Sequence, residues 1–372
     1  LSKTRNEALF QNAPLSYGGS TMKGKQIIDK ILEQYKHEDI NFDMYIVADA
    51  QTKTVRESDP RISHADESEF FSRMEFAEIA SALFNVFGFA RVFYSEISFI
   101  EYVIHNKIQP KDCIVYNFSR DGVNPGKKSL IPAFCDLYGI KYTGSNAFVI
   151  SLLRNKRIYG DILSKNGIPV PITYEFLPDR TTQADILDVF NGFDILMKNI
   201  DESASIGLTP HCKMRLSHDS YQQFYNTATA VNSKRVLVQE FIAGPECEVL
   251  VVKYQGQYLA LDPVEIVFPD DQEFMDSEIS NSYRYTFKLL EGAAANDVRQ
   301  LAAKAAEILD VKDYARFDFR VRDGIPYLFD IAGTPYTIRH SSIAYLFDQY
   351  NLKYEDIYKV IVTCMLSNYR DA

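Results

Sequence analysis

The sequence lacks the features that mark membrane, secreted or nucleic-acid-binding chains. Its apolar runs, such as 249–252 and 343–347, fall far short of the ~20 residues a membrane-spanning helix needs. The opening Leu1-Ser2-Lys3-Thr4-Arg5 is not followed by the apolar core of a secretory signal. Five cysteines (Cys113, Cys135, Cys212, Cys247, Cys364) form an odd set without CxxC spacing, which favours reduced thiols over a disulfide frame or a zinc site. The six histidines are scattered, which weakens a metal cluster further. Basic residues are outnumbered, 40 Lys+Arg against 50 Asp+Glu, for a net charge of −10. That balance argues against a phosphate-backbone partner or an anionic membrane surface while leaving room for a small basic pocket. Repeats and low-complexity tracts are also missing. Together these absences point to a cytoplasmic chain without nucleic-acid or membrane partners.

What is present is an ordinary globular composition, 46% hydrophobic and 24% charged, over 372 residues, enough for two or three domains. The spacing of Ile27, Ile28, Ile31, Leu32 and Tyr35 predicts a helix over 23–35, followed by a short buried strand over 44–48. A long helix is predicted over 69–87, with Phe70, Met74, Ala77, Leu83 and Phe84 among its apolar positions and Gly88 as its stop. Strand 89–94, helix 97–106 and strand 112–118 continue the alternation, which implies a parallel sheet with crossover helices and ligands at the strands' carboxyl ends. From Tyr142 the texture changes to two helices and a Pro-rich exit, so a boundary is expected there. Strands are then predicted over 194–198, 236–239, 249–252 and 259–263, helices over 293–309 and from about Tyr354.

Three stretches carry chemistry. Lys198 ends a strand and opens a loop of small residues, KNIDESASIGL, able to lie over a phosphate chain, although a flexible surface loop reads the same way. QEFIAGPECEV offers Phe241 and Ile242 as a platform for a flat heterocycle beside Glu240, Glu246 and Glu248; an edge strand turning at Gly244-Pro245 is the plainer alternative. ARFDFRVRDGIPYLFDIAGTP reads as a hairpin whose one face alternates Phe317, Phe319 and Val321 and whose other carries Arg316, Asp318 and Arg320. A two-residue loop would turn Asp330 away from Asp318; a three-residue loop, Arg322-Asp323-Gly324, sets Arg316 opposite Asp330 and brings all three charges to one face. The three-residue loop is expected. On composition alone, a solvated outer face with a surface ion pair stands beside it.

In order, YTGS, Lys156, IPVP, the Lys198 loop, QEFIxGPE, ARFDF and DIxGTP make a set that resembles the ATP-grasp superfamily, and within it the D-alanine–D-alanine ligase family, from about Val115 to the C-terminus. The resemblance implies an α/β ATP-grasp fold: an N-terminal open parallel-sheet, Rossmann-like domain (1–143), then central (144–240) and C-terminal (241–372) α+β domains enclosing the nucleotide. It implies an ATP-dependent carboxylate–amine ligase that forms an acyl phosphate from one small amino acid for attack by the amine of another, with ATP and Mg²⁺ and possible homodimers. By this resemblance Lys156 and Lys198 hold the phosphates, and Glu202, Ser203 and Ser205 belong to the covering loop, with Ser205 also close to the chemistry. Gln239, Glu240, Phe241 and Ile242 match the adenine linker and Glu246 the ribose carboxylate. Arg316 matches the arginine that stabilises charge on the acyl phosphate, while Asp318 and Asp330 match the metal-binding acids.

The pattern departs from the family in places. Asp330-Ile331-Ala332 lacks the asparagine of the metal motif, Ala204 replaces a serine, and DSEISNSYRY has no clear lysine–tyrosine pair. Tyr336 stands where the family has glycine, and Arg339 either pairs with a substrate carboxylate or lies on the surface. LFQNAPLSYGG does not show the family's glycine-rich opening, and 50–68 reads as a polar insertion. Two other readings stand beside the ligase: a nucleotide-binding regulatory or scaffold protein without turnover, and phosphoryl transfer to a carboxylate without ligation.

Overall fold

A computed structural model describes residues 23–38, 40, 42–49, 70–121, 126–200, 205–269 and 272–371. Four parallel strands, β1 (Asp43–Ala48), β2 (Ala90–Phe93), β3 (Cys113–Phe118) and β4 (Lys141–Tyr142), form the first sheet in the order β2-β1-β3-β4. β3 is buried at every position and β1 at all but its first, as a parallel strand covered on both faces requires. The chain leaves β1 for one side and returns to β3 on the other, so a crevice opens at the carboxyl ends of β1 and β3, where Asp49, Ser119 and Arg120 lie.

The helix expected over 69–87 begins only at Arg73. The Ser72 hydroxyl accepts from the Glu75 N–H and the Glu75 carboxylate accepts from the Ser72 N–H, a reciprocal cap that ends the helix there. Its inward face is Phe76, Ile79, Ala82 and Leu83, whereas Met74 and Phe84 are exposed. The last helix, Tyr354–Arg370, buries Tyr358, Ile361 and Met365 in the core that also holds Ile46, Tyr116, Leu250 and Tyr314. One hydrophobic core therefore ties the parallel sheet to the carboxyl-terminal half.

The second sheet is antiparallel: β5 (Thr173–Phe176), β6 (Asp194–Asn199), β7 (Lys213–Arg215) and β8 (Val236–Glu240), ordered β5-β8-β6-β7. Its core is aromatic, built on Phe176, Phe190 and Phe224. The third sheet contains β9 (Glu246–Tyr254), β10 (Gln257–Ala260), β11 (Val264–Val267), β12 (Thr286–Leu289), β13 (Tyr314–Arg322) and β14 (Ile325–Ala332), ordered β12-β11-β9-β13-β14 with β10 also on β9. The helices Ala147–Leu153 and Lys156–Lys165, assigned by sequence to the central segment, pack Val149, Leu153, Tyr159 and Leu163 into the core of this third sheet.

β9 is thus a buried strand between neighbours, not the edge strand its Gly-Pro start suggested. Gly244 makes that start possible: its φ is +127°, and an added Cβ would lie 2.0 Å from the Val321 carbonyl oxygen.

The β13–β14 hairpin corrects the expected loop. Arg322 pairs with Ile325, so the loop is the two residues Asp323 and Gly324, both with positive φ (52° and 78°), a combination suited to a tight hairpin turn. Two residues alone would have turned Asp330 away. Instead the register slips between Phe319↔Leu328 and Asp318↔Asp330, leaving Phe329 as an extra residue, and this bulge restores the parity. Asp318 therefore lies opposite Asp330, and Arg316 lies opposite Ala332, not Asp330.

Candidate active site

Residues two apart on one strand share a face, so Arg316, Asp318 and Arg320 of β13 align against Glu246 and Glu248 of β9: Arg320 is paired with Glu246 and Asp318 with Glu248. Arg316 donates from Nε and Nη2, both at 2.8 Å, to the two Asp318 oxygens, and Nη2 lies 3.1 Å from Glu248. Ser342 donates to the second Glu248 oxygen. Arg320 grips Glu246 from Nη2 at 2.6 Å and Nε at 3.1 Å, and its Nη1 donates to the Ile242 carbonyl at 3.1 Å. Lys156 reaches Asp330 at 2.6 Å, joined by the Tyr159 hydroxyl at 3.2 Å.

These groups do not titrate alike. Burial pushes Asp330 up, but Lys156 and Lys198 outweigh it and hold the carboxyl below its ordinary value. Burial and the facing Asp330 raise Asp318 against the pull of Arg316. Glu248 rises to about 7 through burial, with Asp318 adding to the rise and Arg316 and Ser342 opposing it. Arg316, despite burial, is held more firmly protonated by Asp318 and Glu248.

The opposite wall comes from the second sheet. Lys198, near the end of β6, donates to Gln239 at 2.9 Å and sits 4.7 Å from the centre of the Phe329 ring, so the bulge residue supplies part of its surroundings. Burial lowers its ammonium to about 8. The chain leaving β8 is fixed by its own backbone, with Glu240 N–H donating to Ile172 and Phe241 N–H to Asp194, each at 2.8 Å. Glu240 pairs with Arg322 at 2.6 Å, and the Phe241 ring is covered by Lys213 and Arg320. Ser205, in the left-handed region at φ 55°, donates from its hydroxyl to the Met275 carbonyl at 2.9 Å. Glu202 and Ser203 lie outside the described residues.

One cleft is lined by Lys156, Lys198, Ser205, Gln239, Glu240, Phe241, Ile242, Glu246, Arg316, Asp318 and Asp330 together. Arg339 is not among its lining residues. It is exposed, lies over the Tyr354 ring and reaches Glu78 at 3.7 Å, a placement in keeping with the surface alternative. Glu248, Arg320 and Arg120 also line the cleft and had no assigned role from sequence. Glu248 was legible: it follows Glu246 by two along a strand and so had to share its face. Arg120 was not, because nothing local says that a residue after β3 reaches the segment that follows β14.

Among the described residues no group of three or more His, Cys, Asp or Glu side chains is arranged to hold a metal ion. Asp318 and Asp330 are nevertheless two hard oxygen donors facing each other across a strand pair, a set that suits a cation completing its shell with phosphate oxygens.

Comparison with known proteins settles the family. The model for the D-ala D-ala ligase C-terminus matches residues 162–363, more than half of the chain. The chain belongs to the D-alanine–D-alanine ligase family. Members are ATP-dependent carboxylate–amine ligases. Among its relatives, the D-alanine–D-alanine ligase of Francisella philomiragia is 27% identical over 236 residues, 62% of this chain and 71% of the relative. That of Cupriavidus metallidurans is 25% identical over 234 residues, 62% of this chain and 69% of the relative. The crystal structure of the Bacillus anthracis D-alanine–D-alanine ligase complexed with ATP superposes with a TM-score of 0.65 at 17% identity, covering 89% of this chain and 99% of that one, a likeness of fold. The expected ATP-grasp architecture of this ligase family is thereby met by the mixed parallel and antiparallel sheets. No helix among the described residues of this family member is long and apolar enough to cross a membrane.

Proposed function

We propose that this chain joins two small amino acids, or an amino acid to another acid, by an amide bond, converting ATP to ADP and phosphate. A donor carboxylate oxygen attacks the γ-phosphorus, ADP departs, and the acyl phosphate is attacked by the acceptor amine; the tetrahedral adduct then expels phosphate while the amine loses a proton. In this reading Lys156 and Lys198 hold the phosphates, Gln239, Glu240, Phe241 and Ile242 form the adenine-facing linker, Glu246 takes the ribose, and Glu202, Ser203 and Ser205 belong to the covering loop. Arg316 stabilises the negative charge that develops on the transferring phosphoryl group and the adduct. Its bidentate anchorage on Asp318 keeps the guanidinium oriented before substrate arrives. Asp318 and Asp330 would hold Mg²⁺, which when bound neutralises charge on the phosphoryl group. The three segments 1–143, 144–240 and 241–372 are the working domains of this reading, the cleft lying between the last two. A homodimer is its expected assembly.

The observation that supports it is the convergence, in one cleft, of a guanidinium, two opposed carboxylates and two lysines from separate elements. The test is phosphate release and product mass with ATP, Mg²⁺ and pooled amino acids, D-alanine included because the relatives carry it in their names. Amine-dependent phosphate release with a condensed product is expected. Asp318→Asn and Arg316→Ala should each lower turnover ~100-fold or more with the fold retained. Wild-type turnover in either variant rejects the assignment. Nucleotide binding without turnover across a broad pool would favour the scaffold reading, which Ala332 in place of the family's asparagine motivates.

A further inference from the structure

Arg120 follows β3 at the crevice of the parallel sheet and projects into the cleft although only 2% of it is exposed. Its backbone is fixed, since Asp49 Oδ2 accepts from the N–H groups of Arg120 and Asp121. Its guanidinium lies 4.2 Å from the centre of the Tyr336 ring and 4.7 Å from that of Phe71, and Nη2 donates to the Thr334 carbonyl at 3.1 Å. Nε is buried with no acceptor. Among the described residues no carboxylate pairs with this guanidinium, unlike those of Arg316, Arg320 and Arg322 in the same region. Arginine remains charged at any working pH; the buried Asp49 carboxylate attracts it without forming an ion pair, and the buried Nε, left without an acceptor, is a donor that an anion entering from the cleft would satisfy.

Tyr336, which carries the guanidinium, also borders the recess lined by Glu248, Tyr285, Arg316 and Ser342. Such an anion would lie on the side of Arg316 that faces the parallel sheet, away from the Lys156 and Lys198 assigned to the nucleotide in the ligase reading. A guanidinium resting on aromatic faces keeps its remaining N–H groups in plane, the geometry that two carboxylate oxygens match. We infer that Arg120 binds the carboxylate of an amino-acid substrate that is not activated, and so selects acceptors that are free acids. The inference rests on the ligase reading.

The test is calorimetric binding to the full-length chain loaded with β,γ-imido ATP and Mg²⁺, using D- and L-alanine, serine and glutamate as free acids and as primary α-amides. Wild type should bind at least one acid ~10-fold or more tightly than its amide. That ratio should fall to about threefold or less in Arg120→Gln and to an intermediate value in Arg120→Lys, which keeps the charge but loses the fork, with nucleotide affinity unchanged. An unaltered ratio in Arg120→Lys overturns the inference even if Arg120→Gln does not fold. So does the absence of acid preference in wild type, or a matching loss of nucleotide affinity, which would make the anion a phosphate. Because no turnover is measured, failure here is distinct from failure of the pooled ligation assay.

Discussion

Lys198 offers a prediction in which stability and function oppose each other. Its ammonium is buried, hydrogen-bonded among the described residues to the neutral Gln239, and held near Lys156 and Arg320 as well as Asp330 and Glu246. Burial brings it from 10.5 to about 8. At about 1.4 kcal/mol for each tenfold change in proton affinity, that is roughly 3 kcal/mol acting against the charged form in the nucleotide-free protein. The sign follows from linkage: a lysine with a lowered folded value destabilises the fold fully below about pH 8, and the effect fades as pH rises towards 10.5. Lys198→Met, which keeps the stem without the charge, should therefore raise nucleotide-free stability at pH 7 by about 1–3 kcal/mol while removing ATP binding. Urea unfolding and calorimetry measure the two effects. In wild type, triphosphate binding should also restore the proton affinity, so titrations between about pH 8 and 9.5 in buffers of different ionisation enthalpy should show proton uptake. Lys198→Arg should show none. A Met variant that is less stable than wild type, or proton uptake that survives in the Arg variant, refutes the reasoning.

Two further substitutions examine the frame of the cleft. Gly244→Ala meets the Val321 carbonyl and an unfavourable positive φ, so it should cost about 2 kcal/mol or more, read as a lowered urea midpoint with an unchanged slope. Glu248 has a folded value raised from 4.5 to about 7, so it contributes stability fully present below about pH 4.5 and lost as pH rises through 7. Glu248→Gln should remove this dependence, the wild type losing up to roughly 3 kcal/mol relative to the variant between those pH values, and identical pH profiles would contradict the assignment.

Much of the site was legible because its signals are local. Period-two alternation in ARFDFRVR and ECEV set the ionic residues on one strand face, and the lysine at the end of DILMK marked a residue that lines the cleft. The helix over 23–35 and the strands of the parallel sheet were legible for the same reason, since each element states its own buried face. The helix start at Ser72 was missed because a capping box competes with apolar periodicity, and the periodic signal was followed past it. The hairpin shows a different failure. The expectation that Asp318 and Asp330 share a face was met, but through a bulge at Phe329 and not through a third loop residue, because register depends on what the neighbouring strand accepts.

By itself the sequence determined which residues lie on which side of each strand and helix, and the ordered motifs that mark the ligase family. Tertiary structure alone decided which sides meet: that Arg316 is shared by Asp318 and Glu248, that Arg339 lies against Glu78 and Tyr354, and that Arg120 crosses from the parallel sheet to Tyr336 and Thr334. The division is physical. Burial pattern is carried by neighbours a few residues apart, whereas the pairing of charges between strands is fixed only when separate elements pack into common cores.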